Sequence, residues 1–157
     1  MPPILTDLNP AQQEAVTHKN GPLLILAGAG SGKTRALTHR AAWLIKEKGV
    51  APENLLLLTF TNKAAEEMRN RISRLLSHNS SLTTNYPFAG TFHSFCAKVL
   101  RRDGKFIGIA PNFLIYDEGD QLESLREVIK KLNLRTRPQV AASLISSAKN
   151  ELVGPLE

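Results

Sequence analysis

The chain has 157 residues, of which 42% are hydrophobic and 22% charged, and this ordinary globular composition excludes wholesale disorder. The single cysteine, Cys96, excludes an intramolecular disulfide and a cysteine-rich metal site. The chain is basic, with 20 Lys and Arg against 14 Asp and Glu, a net charge of +6. No apolar run approaches the roughly 20 residues of a membrane helix, and the N-terminus does not resemble a signal peptide, so we expect a cytoplasmic protein without a membrane partner.

Four short apolar runs predict β-strands, at residues 22–27, 55–60, 87–91 and 113–116. The first two runs do not alternate between apolar and polar residues, which is typical of strands covered on both faces in a parallel sheet. A helical pattern follows each run, in residues 37–45, 65–75, 92–100 and 122–132. Strand and helix therefore alternate, and this order predicts an α/β fold with a parallel sheet.

Other local signals predict where helices begin and where a loop lies. Asp117 is a predicted N-cap, since its carboxylate can accept hydrogen bonds from the unpaired N–H groups of a helix start. A last helix is predicted to begin at Pro138, where a missing N–H does no harm. The polar stretch at residues 77–86 predicts a loop.

The first apolar run leads directly into a glycine-rich segment that matches the Walker A pattern, Ala27-Gly28-Ala29-Gly30-Ser31-Gly32-Lys33-Thr34. Glycines allow a backbone whose N–H groups point inward at phosphate oxygens, and the N-terminus of the next helix adds positive potential. Lys33 can reach the β- and γ-phosphates, and the Thr34 hydroxyl can bind Mg²⁺. The alternatives are a glycine-rich turn without a ligand and a dinucleotide-binding turn, in which Lys33 and Thr34 would have no role.

Positive charge is concentrated in the first two thirds of the chain. Residues 1–50 carry six basic and three acidic residues (+3), residues 51–110 carry eight and four (+4), and residues 111–157 carry six and seven (−1). A basic region suggests a polyanionic partner, because binding phosphates releases counterions. A surface charge that only keeps the protein soluble remains the alternative.

Four segments taken together resemble the N-terminal part of the UvrD/Rep/PcrA helicases, a group of superfamily-one DNA helicases. The segments are LNPAQQEAV, GPLLILAGAGSGKTRALTHR, LLLLTFTNKAAEEMRNRI and GTFHSFCAKVLRR, in this order. The resemblance implies a P-loop NTPase (RecA-like) parallel sheet with flanking helices, incomplete over residues 1–110, and the start of a helical inserted subdomain over residues 111–157. It also implies an ATP- and Mg²⁺-dependent 3′–5′ helicase that acts on single-stranded DNA and duplex junctions, with repair or replication proteins as partners.

The resemblance also implies a nucleotide site in this sequence. Gln12 falls in the family's Q motif, where the amide recognises the adenine edge, since an amide both donates and accepts. Lys33 and Thr34 fall at the phosphate and Mg²⁺ positions. Arg35 falls where an arginine stacks on the adenine face. An ordinary helix start for Gln12 and a solvated helix position for Arg35 are the alternatives.

Two further motifs imply contacts to single-stranded DNA. Phe60, Thr61 and Asn62 belong to motif Ia, with Phe60 stacking on a base and Thr61 and Asn62 binding phosphates. Thr91 and His93 belong to motif Ib and would contact the DNA backbone.

Each of these residues also has a structural alternative. Phe60 alone would be a core aromatic, Asn62 can cap the next helix, and His93 can bond to protein backbone at a helix start. Phe92 is expected in the core. Lys98, Arg101 and Arg102 either extend a basic surface or form a solvated helix face.

The segment Phe113-Leu114-Ile115-Tyr116-Asp117-Glu118 has the form of a Walker B strand. In that case Asp117 would hold Mg²⁺ through water, Glu118 would activate the attacking water, and the chain would be a stand-alone P-loop ATPase or a nucleotide-dependent binding module. In the resembling helicases a similar string opens the inserted subdomain instead, and the catalytic carboxylates come later. On that reading we expect ATP and DNA binding from this chain with little or no hydrolysis.

Overall fold

The computed structural model describes residues 3–77 and 86–155. Most of the predicted loop at 77–86 and the last two residues lie outside the described part. The chain divides into two compact units, Met1–Ile107 and Gly108–Glu157. The helices and strands of the described residues are α1 (Pro10–Thr17), α2 (Lys33–Lys48), β1 (Leu56–Thr59), α3 (Asn62–Ser77), β2 (Phe88–Thr91), α4 (Phe92–Asp103), α5 (Glu118–Lys131) and α6 (Pro138–Asn150).

The two strands pair in parallel, with Leu56 beside Phe88 and Thr59 beside Thr91. Helix α3 connects them, and α4 follows β2 directly. The prediction of a mixed α/β fold with a parallel sheet is confirmed, in a two-stranded form among the described residues. Because the strands are parallel and in register, their carboxyl ends lie side by side, and both chain segments that leave this edge enter a helix.

The predicted strands at 22–27 and 113–116 are wrong. Neither segment is a strand, and their aliphatic side chains are exposed, by 80% at Leu24, 86% at Leu26 and 81% at Leu114. A strand is defined by a hydrogen-bonded neighbour, and among the described residues the sheet contains only β1 and β2. An apolar run supplies the propensity for a strand but not the partner.

The core of the first unit lies between α2, α3 and the two strands. Met68 and Ile72 of α3 are almost fully buried, as is Val16 of α1. Trp43 of α2 is also in the core. The strands contribute Leu57 and Ala89. Burying each larger side chain of this kind stabilises the fold by roughly 1.5–3 kcal/mol.

Helix α1 has eight residues, and a helix this short is not stable alone in water. Its start is fixed locally, because Asn9 and Gln12 form a reciprocal capping box and Pro10 occupies the first turn. The side-chain amide of Gln13 donates to the carbonyls of Leu5 and Leu8, which attaches the preceding segment to α1.

The end of α1 is held by a cation from α2. The Arg40 guanidinium donates to the carbonyl oxygens of Ala15, Val16 and His18 at 3.1, 3.0 and 2.9 Å. These carbonyls lie at the helix C-terminus, where they lack partners within the helix and where a positive charge is favourable. Arg40 therefore joins α1 to the helix that follows the glycine-rich loop.

Two more cations make the same kind of bond. Lys46 of α2 donates to the carbonyl of Leu75 near the end of α3, at 2.7 Å. Arg69 of α3 donates to the carbonyl of Ala89 in β2, at 2.6 Å. Basic side chains thus connect α1, α2, α3 and β2 in succession.

The second unit contains α5 and α6, which pack against each other. Asp117 is the N-cap of α5, its carboxylate accepting from the N–H of Asp120 at 2.9 Å. Helix α6 begins at Pro138. Both predicted helix starts are therefore confirmed. No helix among the described residues combines the length and apolar character needed to cross a membrane.

We predict that Arg40→Met lowers the free energy of unfolding by about 2 kcal/mol, because it removes a charged donor and leaves carbonyl groups at the end of α1 without a partner. Urea denaturation measures this change. Arg74→Met, at an exposed position of α3, is the matched control and should stay within about 0.5 kcal/mol of the parent chain. Equal losses in the two variants would contradict the role given to Arg40.

Candidate functional site

The glycine-rich segment forms a turn that ends at the first residue of α2. Gly30 and Gly32 have φ values of +76° and +89°, in the left-handed region that side chains disfavour. Gly32 is the N-cap of α2. The unpaired N–H groups of the first turn of α2 therefore adjoin this turn, which is the arrangement that binds anions at helix N-termini.

The Lys33 ammonium folds back over this turn. Its Nζ donates to the carbonyl oxygens of Ala27 and Gly28, both at 2.7 Å. The Ser31 hydroxyl also donates to the Gly28 carbonyl, at 2.7 Å. An ammonium has three donors, so two N–H groups of Lys33 hold the charge above the loop and the third is available to a further acceptor.

Gln12 lies against the same turn from the side of α1. Its Nε2 donates to the Ser31 carbonyl at 3.0 Å, and its Oε1 accepts from the N–H of Asn9 at 3.2 Å. The approach to Gly32 is close, since a Cβ at that position would lie 2.5 Å from Gln12 Nε2. The structure therefore brings Gln12 together with Gly32 and Lys33, which belong to a different motif.

A cavity of about 220 Å³ lies between α1, the segment before the turn and the start of α2. Its wall combines the polar groups of Gln12 and Lys33 with apolar side chains. The lining residues are Asn9, Ala11, Gln12, Ala15, Ile25, Leu26, Ala27, Ser31, Gly32, Lys33 and Ala36. An apolar wall with a few directed polar groups is typical of sites for small organic ligands, and the residues present fit a flat base beside a phosphate chain.

Thr34 is exposed in the first turn of α2, where its hydroxyl is accessible to a cation. No group of three or more His, Cys, Asp or Glu among the described residues is arranged to hold a metal. Mg²⁺ in phosphate sites keeps several waters and binds the phosphates themselves with few protein ligands. One hydroxyl therefore fits Mg²⁺ that arrives with a nucleotide.

Arg35 does not line the cavity. Its guanidinium lies 3.9 Å from the carboxylate of Asp7, and both side chains are largely exposed. An ion pair of this length at the surface contributes little, so the guanidinium is free to move. The stacking predicted for Arg35 stays a prediction.

The carboxyl edge of the sheet carries an exposed aromatic pair. Phe60 follows β1 and is 90% exposed, and Phe92 follows β2 and is 49% exposed, with ring centroids 6.0 Å apart. The expectation that Phe92 lies in the core is wrong. The ring turns outward because Phe92 is the first residue of α4 at the strand end, where it meets Phe60 rather than the core.

Two threonines at this edge cap the helices that leave it. The Thr61 hydroxyl accepts from the N–H of Ala64 at 3.1 Å, and the Thr91 hydroxyl accepts from the N–H of Ser94 at 3.2 Å. Thr61 thus takes the capping position that Asn62 was expected to fill, because α3 begins at Asn62 itself. Thr91 is buried, whereas Thr61, Asn62 and His93 are exposed.

The basic residues of α4 are exposed, and two of them contact neighbouring side chains. Lys98 lies over the ring of Phe88, 5.0 Å from its centroid. Arg102 forms an ion pair with Asp103, and the hydrogen bonds from its guanidinium lower the pKa of the Asp103 carboxyl. Part of the positive charge on this helix is therefore already partnered.

The Asp117 carboxylate, which the alternative interpretation assigns to Mg²⁺, is a helix cap. Its Oδ1 accepts from the backbone of Asp120, and the Asp120 carboxylate accepts from the N–H of Asp117. The residues before it are not a strand. The local geometry is that of a helix start.

Sequence reasoning missed the apolar wall of the cavity and the outward ring of Phe92. Ala11 and Ala15 lie one turn apart on α1 and on the side of Gln12, a spacing that could have indicated a shared face. The ring of Phe92 has no such local signal, since its exposure depends on the pairing of two strands.

Comparison with known proteins identifies relatives over nearly the whole chain. The model of the UvrD/REP helicase N-terminal domain matches residues 8–157. The ATP-dependent DNA helicase PcrA of Bacillus subtilis (strain 168) is 50% identical over 157 residues, 98% of this chain and 21% of the relative. PcrA of Staphylococcus aureus strain Mu50 is 46% identical over 157 residues, with the same coverage.

The chain therefore spans about a fifth of the length of these curated relatives. The family match covers residues 8–157, which include both the glycine-rich turn and the aromatic sheet edge. The chain belongs to the UvrD/REP helicase N-terminal domain family.

Proposed function

We propose that this chain is the ATP- and single-stranded-DNA-binding part of an ATP-dependent 3′–5′ DNA helicase. The whole protein would use ATP hydrolysis to move along one DNA strand and to unwind duplex at junctions, in the cytoplasm. The relatives are named ATP-dependent DNA helicases, which supports this class of activity.

Gln12 and Lys33 line the same cavity, and this observation is the main support for nucleotide binding. The Lys33 ammonium is held above the turn with one donor left, so it would bind the β- and γ-phosphates without a large rearrangement. The Gln12 amide still has one N–H for the adenine edge, because only one of its two is given to Ser31. Thr34 would hold Mg²⁺, which would neutralise phosphate charge, and Arg35 would cover the adenine face once released from Asp7.

The aromatic edge supports the DNA part. Phe60 offers an exposed ring on which a base would stack, and Phe92 stands beside it. Asn62 and the exposed Thr61 would bind the adjacent phosphates, and His93 would contact the backbone from the first turn of α4. Thr91 would act mainly by fixing that turn, since its hydroxyl caps α4.

Hydrolysis by these residues alone has little support. The catalytic carboxylates of the alternative interpretation are Asp117 and Glu118, and Asp117 is engaged as a cap. We therefore expect the chain to bind ATP with little or no turnover.

Mg-ATP binding tests the nucleotide part. Lys33→Ala should weaken binding to the full chain about tenfold to a hundredfold, because a charge-assisted hydrogen bond to phosphate contributes roughly 1.5–3 kcal/mol. Isothermal titration calorimetry gives the dissociation constants, and Lys19→Ala, at an exposed lysine of the same unit, is the matched control. Unchanged affinity in Lys33→Ala would refute the phosphate role, and DNA-stimulated hydrolysis that is lost in Asp117→Asn would establish the alternative.

Single-stranded DNA binding tests the sheet edge. Phe60→Ala should weaken binding of a short oligothymidylate by roughly 1–3 kcal/mol, the range for one stacked base. Fluorescence anisotropy at fixed salt measures the affinity. Phe106→Ala removes another exposed phenylalanine of the same unit, 78% exposed, and should bind as the parent chain does. Equal effects of the two substitutions would mean that the edge has no specific role.

A further inference from the structure

Two adjacent glutamines of α1 make different connections. Gln13 donates to the carbonyls of Leu5 and Leu8, and so holds the segment before the helix. Gln12 donates instead to the carbonyl of Ser31, in the turn that precedes α2. Only Gln12 therefore connects α1 to the phosphate-binding turn through its side chain.

The Gln12 side chain is fixed from the α1 side before it reaches this turn. Its backbone N–H donates to the Asn9 side chain at 2.9 Å, and its Oε1 accepts from the Asn9 N–H at 3.2 Å. With the oxygen held, the Nε2 end of the amide has a defined direction. It donates to Ser31, and the backbone at Gly32 passes so close that a Cβ there would lie 2.5 Å away.

The turn that Gln12 contacts is followed directly by Lys33, the lysine proposed to bind phosphate. Gly32 is the N-cap of α2, and Lys33 is the first residue of the helix. A shift at Ser31 and Gly32 would move both the Lys33 side chain and the N–H groups at the helix start. The hydrogen bond between Gln12 and Ser31 joins two protein groups and uses one of the two N–H groups of the amide.

We propose that Gln12 is a positioning residue for the phosphate-binding turn and acts on phosphate binding independently of the base. This inference rests on the proposed nucleotide function and adds to it a second role for the same amide. One N–H holds the turn, and the other remains for the ligand. The Gln12 side chain would thus recognise the base and also fix the conformation of the turn that binds the phosphates.

The test uses a ligand that has phosphates but no base or ribose. Gln12→Met keeps the length of the side chain and removes its donors. In the full chain, this variant should bind Mg-tripolyphosphate roughly threefold to tenfold more weakly, the range for one net hydrogen bond, and should bind Mg-ATP at least as much more weakly. Gln139→Met, at an exposed glutamine of α6, should change neither affinity.

A second measurement reports the turn itself in the ligand-free protein. NMR order parameters of the backbone at residues 28–33 should fall in Gln12→Met, from about 0.85 for rigid backbone toward about 0.6. Gln13→Met is the comparison that separates positioning from general destabilisation. It should lower the melting temperature and leave these order parameters unchanged, because the side-chain amide of Gln13 donates to the segment before α1 and not to the turn.

The outcomes separate the two proposals. Tripolyphosphate affinity that is unchanged in Gln12→Met, with weaker ATP binding, would show a role in base recognition alone and overturn the positioning role. Unchanged order parameters in that variant would overturn it as well. If the parent chain binds neither ATP nor tripolyphosphate, the proposed nucleotide function fails, and the order parameters still decide whether Gln12 positions the turn.

Discussion

The cavity beside the glycine-rich turn depends on the packing of α1 along α2, because one of its walls is formed by a helix too short to be stable alone. Near the start of α1 the Gln12 amide donates to the Ser31 carbonyl, and at its end the Arg40 guanidinium donates to three carbonyl oxygens. The side chain of Val16, whose carbonyl is one of these three, is completely buried. The eight-residue helix is thus fixed by polar bonds at both ends and by an apolar contact near its end. The position of the Gln12 amide is therefore set by tertiary contacts as well as by its own helix.

Several basic side chains of the chain stabilise the fold itself. Residues 1–110 carry a net charge of +7, the sum of +3 and +4 for its two parts. Yet Arg40, Lys46 and Arg69 donate to backbone carbonyls at the ends of α1 and α3 and in β2. Such cations satisfy carbonyls that the helices leave unpaired. Since a carbonyl has no net charge, these bonds leave the net charge of the chain unchanged, but they engage three of its cations in stabilising the fold.

The sequence predicted the features that are encoded locally. The caps at Asp117 and Pro138 and the helices after each apolar run depend on neighbours a few residues away, and the parallel pair β1 and β2 follows from alternation with α3. The segment 22–27 was predicted as a strand because it is apolar, but strand formation needs a neighbour that composition cannot specify. The sequence could not predict the hydrogen bond from Gln12 to Ser31 or the outward orientation of the Phe92 ring for the same reason. Both arise from elements brought together by the fold.

The internal cations also connect the two candidate sites. Arg40 joins α1 to α2, Lys46 joins α2 to α3, and Arg69 joins α3 to β2, whose end carries Phe92. Met68 and Ile72 fill the space beneath α3 and make this succession a packed body. A closely packed body of this kind favours a single conformation. Energetic coupling between two sites requires an element that has two conformations. The turn before Lys33 is held in another way, by hydrogen bonds from the Gln12 amide, the Lys33 ammonium and the Ser31 hydroxyl rather than by packed apolar side chains.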